Sequence, residues 1–102
     1  LLLPHSMRFF NTVAADRFAL VASAMGVDTQ GLNTEEAGLK AAEAMADFVR
    51  SLGLTEGLAD LGVKKEDLPR VADMAISDGA IIYSPEPVFE TEPIVALMEK
   101  AL

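Results

Sequence analysis

The chain has 102 residues, 51% of them hydrophobic and 6% aromatic, and 8 basic against 16 acidic side chains leave a net charge of −8. Such an apolar fraction excludes a disordered chain, and the absence of cysteine excludes a disulfide scaffold or a thiolate metal site. The acidic surplus disfavours nucleic acid and anionic membranes as partners.

Residues 1–11 are apolar, with Leu3, Met7 and Phe10 at helical spacing and Pro4 tolerated only near a first turn. They read as the tail of a helix that starts upstream, with Asn11 and Thr12 providing a stop and a new cap. Residues 14–25 repeat apolar side chains at 14, 18, 21 and 25, one helical face closed by Gly26. A loop follows over residues 27–32.

The best-defined helix spans residues 33–52. Asn33 and Glu36 have capping-box spacing. Ala41, Met45, Phe48 and Leu52 form one stripe, with Ala42 and Val49 beside it, while Glu36, Lys40, Glu43, Asp47 and Arg50 form the opposite one. Glu36–Lys40 and Asp47–Arg50 are within mutual reach. Gly53 ends the helix. Residues 54–63 read as a loop or short turn, and residues 64–68 as one helical turn. Pro69, with Asp67 as its cap, starts a helix through Ser77 whose apolar face is Val71, Met74 and Ala75. Asp78-Gly79 closes it. Ala80, Ile81, Ile82 and Tyr83 have strand character but no partner strand, so they form an apolar loop, followed by extended Ser84-Pro85-Glu86-Pro87. Thr91 caps a last helix with Pro93 in its first turn and Ile94, Leu97, Met98 and Ala101 on its core face. The fold class is all-α, a bundle of about five helices in a single helical domain over residues 1–102.

Catalytic chemistry is sparse. His5 is the only histidine and has no carboxylate near it in sequence, so packing or hydrogen bonding suits it better than metal ligation or general-base work. Serines 6, 23, 51, 77 and 84 lie outside any nucleophile elbow. No glycine-rich phosphate loop occurs. Glu35 and Glu36 sit in a first helical turn, where carboxylates complement the dipole. Lys64-Lys65 reads as a solvated pair, and the five methionines as core fillers. The segment itself holds no catalytic, cofactor-binding or metal-binding residue.

The order of short motifs is more specific. Leu2-Leu3-Pro4-His5-Ser6-Met7-Arg8-Phe9 resembles the Leu-Leu-Pro-x-x-Met-Arg-Phe run of the iron-containing alcohol dehydrogenases. Arg17-Phe18 and Ala22 through Gly26 are similar to that family's next helix. Leu52-Gly53-Leu54, Leu58-Ala59-Asp60-Leu61-Gly62-Val63 and Glu66-Asp67-Leu68-Pro69 resemble its Leu-Gly-Ile-Pro, Leu-x-x-Leu-Gly-Val and Glu-Asp-Leu/Ile-Pro signature. Asp78-Gly79-Ala80 with Ser84-Pro85 stands where the family often has Asn-Pro-Arg; Phe10, Ser84 and Glu86 depart from its common residues. The resemblance covers the whole chain and the last quarter or so of a full-length member.

It implies the C-terminal helical part of a two-domain oxidoreductase acting on a small alcohol or aldehyde by hydride transfer. NAD(P) would be bound by a Rossmann-like N-terminal domain, the natural partner of this segment. Fe²⁺ (or Zn²⁺) would be held by one Asp and three His. All these groups would lie upstream, and His5 matches none of them. The metal in such enzymes polarises the alcohol oxygen so that hydride can leave to nicotinamide. Ala80, Ile81 and Ile82 would be this segment's approach to the substrate pocket. The competing reading is a free-standing acidic helical domain with a binding or scaffold role.

Consistent with a piece of something longer, the chain opens without Met and in mid-pattern. Apolar residues 1–10 and 80–83 would then lack their neighbours and favour self-association. The Leu1-Leu2-Leu3-Pro4 run is too short for a signal-peptide core, and no apolar run approaches the ~20 residues of a membrane span. The expected location is cytoplasmic.

Overall fold

Four α-helices are present among the described residues, 1–54 and 57–102 of the computed structural model: α1 (Leu3–Ala24), α2 (Thr34–Ser51), α3 (Leu68–Ser77) and α4 (Thr91–Glu99). Short 3-10 turns at Ala59–Leu61, Lys65–Asp67 and Gly79–Tyr83 complete the secondary structure, and no strand forms among these residues. The chain divides into two compact units, Leu1–Leu54 and Thr55–Leu102.

In the first unit, the two helical stretches expected over residues 1–25 meet at Ala14, whose backbone is not helical (φ −129°, ψ 20°), so that α1 is two helices joined across a kink. Neither Pro nor Gly stands there. Asn11, Thr12 and Val13 are weak helix formers, and they precede the departure from helical geometry. Asn11 does not cap anything: its amide reaches across the unit and donates to the Glu35 carbonyl at 3.0 Å. Both halves of α1 consequently share one core with α2, in which Met7, Ala22, Ala41 and Ala42 are buried and Phe18, Val21, Val27 and Met45 pack around them. The helix ends as the sequence predicts. Gly26 takes φ +78°, and the Gly26 and Val27 N–H groups donate to the Ser23 and Ala22 carbonyls at 3.0 Å. Only a residue at ease in the left-handed region closes a helix this way.

The cap of α2 is the predicted one. The Glu36 N–H donates to Asn33 Oδ1 at 2.8 Å, and the Asn33 N–H donates to the Glu36 carboxylate at 3.2 Å. That engagement redirects the surface pairing. With Glu36 turned back to the cap, Lys40 pairs with Glu43 at 2.7 Å instead, while Arg50–Asp47 forms as expected at 2.7 Å. The predicted core stripe is covered over only part of its length. Ala37, Gly38, Ala41 and Ala42 are buried, whereas Phe48 and Leu52 are 52% and 58% exposed. The buried residues all lie in the first half of α2, where small side chains let α1 approach.

The second unit is built on α3 and α4. Leu68, Ala72 and Met98 are buried, with Leu58, Val63, Ile94, Val95, Leu97 and Leu102 packed on them. The apolar face of α3 therefore centres on Leu68 and Ala72, not on Val71 and Met74, which are 41% and 65% exposed. Spacing alone allows either face; the packing of Met98 selects this one. Asp67 accepts from the Lys64 N–H at 3.0 Å rather than capping α3. Glu90, not Thr91, occupies the cap position of α4, without a side-chain bond. The chain end is tied down: the Leu58 N–H donates to the Ala101 carbonyl at 2.7 Å, and Lys65 pairs with Glu99 at 3.0 Å. Of the expected loop over residues 54–63, residues 55 and 56 lie outside the described residues.

Candidate functional site

Ala80, Ile81 and Ile82 lie together on the 3-10 turn Gly79–Tyr83 that follows α3. Asp78 positions this turn. It ends α3 with an extended backbone (φ −77°, ψ 122°), and its carboxylate accepts the Ala80 N–H at 2.9 Å. The Ile81 N–H returns to the Asp78 carbonyl at 3.1 Å. At the other end, the Ser84 hydroxyl lies within reach of the Ile81 carbonyl and of the Glu86 carbonyl at 3.0 Å. One hydroxyl proton serves these two acceptors in turn. A run that resembles a strand by composition is thus wound into a turn by a polar residue on each side.

The turn presents an apolar surface. Ile81 is half-buried and anchors it, whereas Ala80 is exposed, Ile82 is 57% exposed and Tyr83 is 85% exposed. Beside it on α3, an open depression is lined by Arg70, Asp73, Met74, Ser77 and Asp78. Asp78 belongs to both features. The sequence pattern points to Ala80, Ile81 and Ile82 for the pocket, places Met74 in the core, and gives Tyr83 a part only in self-association. The signal that could have moved Met74 outward is the Leu68–Ala72 spacing, which claims the opposite side of the same short helix.

No group of three or more His, Cys, Asp or Glu is placed to hold a metal ion among the described residues. His5 is half-buried in the first turns of α1. A shifted titration occurs away from the turn. Lys40 is held above the ordinary lysine range first by its hydrogen bond to Glu43 and then by that carboxylate's charge. The pair is solvent-exposed, a surface feature of α2. No helix among the described residues is long and apolar enough to cross a membrane.

What this arrangement supplies is packing and shape: an apolar turn beside a shallow, open depression. Its likeness to known proteins is broader. The Fe-containing alcohol dehydrogenase family, in its C-terminal part, matches residues 1–102. A 1,3-propanediol dehydrogenase of Klebsiella pneumoniae is 37% identical over 100 residues, 98% of this chain and 26% of that protein. A lactaldehyde reductase of Escherichia coli is 38% identical over 78 residues, 76% of this chain and 20% of that protein. A crystal structure of a 1,3-propanediol oxidoreductase superposes with a TM-score of 0.95 at 34% identity, over 100% of this chain and 26% of that one. The chain therefore spans about a quarter of the length of these relatives.

Proposed function

The chain belongs to the iron-containing alcohol dehydrogenase family, as the C-terminal helical domain of such an oxidoreductase, and on that premise we propose what it contributes. In the whole protein it serves an NAD(P)-dependent, metal-dependent enzyme that interconverts a small alcohol and its aldehyde. The observation that carries this reading is the match of the family over every residue of the chain. The described residues do not fit a metal site, so no catalytic step is assigned to them. Nicotinamide and metal would be held by preceding polypeptide, including a Rossmann-like domain.

Two roles remain for the segment. Its helices form a scaffold, and the turn carrying Ala80, Ile81 and Ile82 forms part of the substrate pocket wall. The turn is rigidly bonded at both ends and exposes apolar side chains, which suits contact with the carbon chain of an alcohol. The isolated chain self-associates through residues 1–10 and 80–83, where Leu3, Phe9, Ile82 and Tyr83 are exposed.

The test is a fusion. This chain is joined to the first three-quarters of the Klebsiella pneumoniae 1,3-propanediol dehydrogenase in place of that protein's own last quarter. NAD-dependent oxidation of 1,3-propanediol by the fusion, absent from the truncated relative alone, is the expected result. A folded but inactive fusion sinks the reading.

A further inference from the structure

Among the described residues, seven of the ten buried apolar side chains are alanine, while fifteen large hydrophobic residues are exposed. An exposed large side chain needs no explanation singly; a continuous set does. One such set continues an interior face. On a helix turning about 100° per residue, Ala41, Met45, Phe48 and Leu52 fall within about 60° of one another. The face starts fully buried at Ala41, is half-buried at Met45, and emerges to 52% exposure at Phe48 and 58% at Leu52. Gly53 then reverses the backbone in the left-handed region (φ +70°), and Leu54 follows, also 52% exposed.

The polar side of α2 is well defined elsewhere. Lys40–Glu43 and Asp47–Arg50 pair on the surface, so Phe48 and Leu52 do not belong to a hydrated face. A core stripe that runs on past its partner leaves a contiguous apolar patch of the kind that marks an interaction surface.

We propose that Phe48, Leu52 and Leu54 form a docking face for the polypeptide that precedes this segment in the full-length dehydrogenase. The inference rests on the family reading above. Two observations select that occupant. The chain superposes at a TM-score of 0.95 on a protein of which it covers only 26%, so the same fold exists beside nearly three times as much additional polypeptide. The exposed residues also extend a stripe whose buried part already takes helix α1, and an adjoining helical surface would continue that layer. The occupant is therefore an apolar surface rather than a charged ligand.

Phe48→Gln and Leu52→Gln test this in the fusion described above and in the isolated chain. Glutamine keeps helix propensity and removes the apolar surface. The expected result is a melting temperature lowered by several degrees in the fusion, no change beyond about a degree in the isolated chain at dilutions below its self-association, and recovery with Phe48→Leu. An unchanged fusion overturns the proposal, because the face is then free. Equal losses in both proteins overturn it too, because the residues then pack within this chain. A loss confined to a dimeric form of the fusion assigns the face to a second copy and overturns the occupant. An inactive wild-type fusion that still loses stability on Phe48→Gln supports the docking face while sinking the catalytic reading.

Discussion

The carboxamide of Asn11 fills the space into which a side chain at Gly38 would grow. A Cβ on Gly38 would overlap Asn11 Oδ1 and would lie 3.1 Å from Asn11 Cγ and 3.4 Å from Ala15 Cα. Asn11 is 2% exposed, and its Nδ2 is committed to the Glu35 carbonyl while Oδ1 has no hydrogen-bond partner. A polar side chain is thus held in an alanine-lined contact by one hydrogen bond and by the absence of a methyl group opposite.

Gly38→Ala should destabilise the first unit by about 1–3 kcal/mol through overpacking, despite alanine's better helix propensity. Asn11→Ala should cost about 1 kcal/mol for the lost bond to Glu35. Combined, the two changes should cost less than their sum, since removing the carboxamide makes room for the new methyl. Chemical denaturation of all four proteins measures the coupling. Strict additivity would show that the two residues do not share the space.

Leu68, at the start of α3, is the largest fully buried side chain among the described residues. Leu68→Ala should cost about 2–5 kcal/mol, a large share of what a small unit has to lose. Hydrogen exchange should show the loss in α3 and α4, with α2 little affected. Uniform loss of protection would contradict two compact units.

The chain end packs where Gly57 has no side chain: a Cβ there would overlap the Leu102 carbonyl and lie 3.6 Å from that of Ala101. Gly57→Val should displace residues 101 and 102 and weaken protection of the Leu58 N–H. Deleting Ala101 and Leu102 should produce the same exchange pattern at that amide, which amide-resolved exchange can read.

Lys40 titrates above its ordinary range because of Glu43. A raised lysine value means that the pair's contribution is complete below the ordinary lysine pKa and disappears as pH rises through the folded value. Glu43→Gln should lower the Lys40 titration midpoint, followed by NMR at its Cε. Because the pair lies on the exposed surface, thermal stability at neutral pH should stay within experimental error. An unmoved midpoint would remove Glu43 as the cause.

In the active fusion, Ala80→Phe should raise KM for longer alcohols more than for short ones, because steric loss grows with the chain that must enter. The same variant should leave the melting temperature nearly unchanged, as Ala80 is exposed. An equal effect on every chain length would take residues 80–82 out of the pocket wall.

Local chemistry was legible without coordinates. The Asn33–Glu36 cap, the Gly26 helix end, the Asp47–Arg50 pair and the all-helical class rest on interactions between residues a few positions apart, and such interactions form wherever those residues occur in that order. The motif runs, spread along the chain, carried the family in the same way. Tertiary structure decided the rest. Asn11 looked like a helix stop, yet its partner is Glu35, 24 positions away, and α1 continues to a kink at Ala14. Met74 and Leu68 both satisfy helical spacing, and only the arrival of Met98 on α3 chooses between them. Phe48 and Leu52 carry the same periodic signal as Ala41, but periodicity describes a face and says nothing of how far its partner extends. Burial is a property of two surfaces, and one helix encodes only its own.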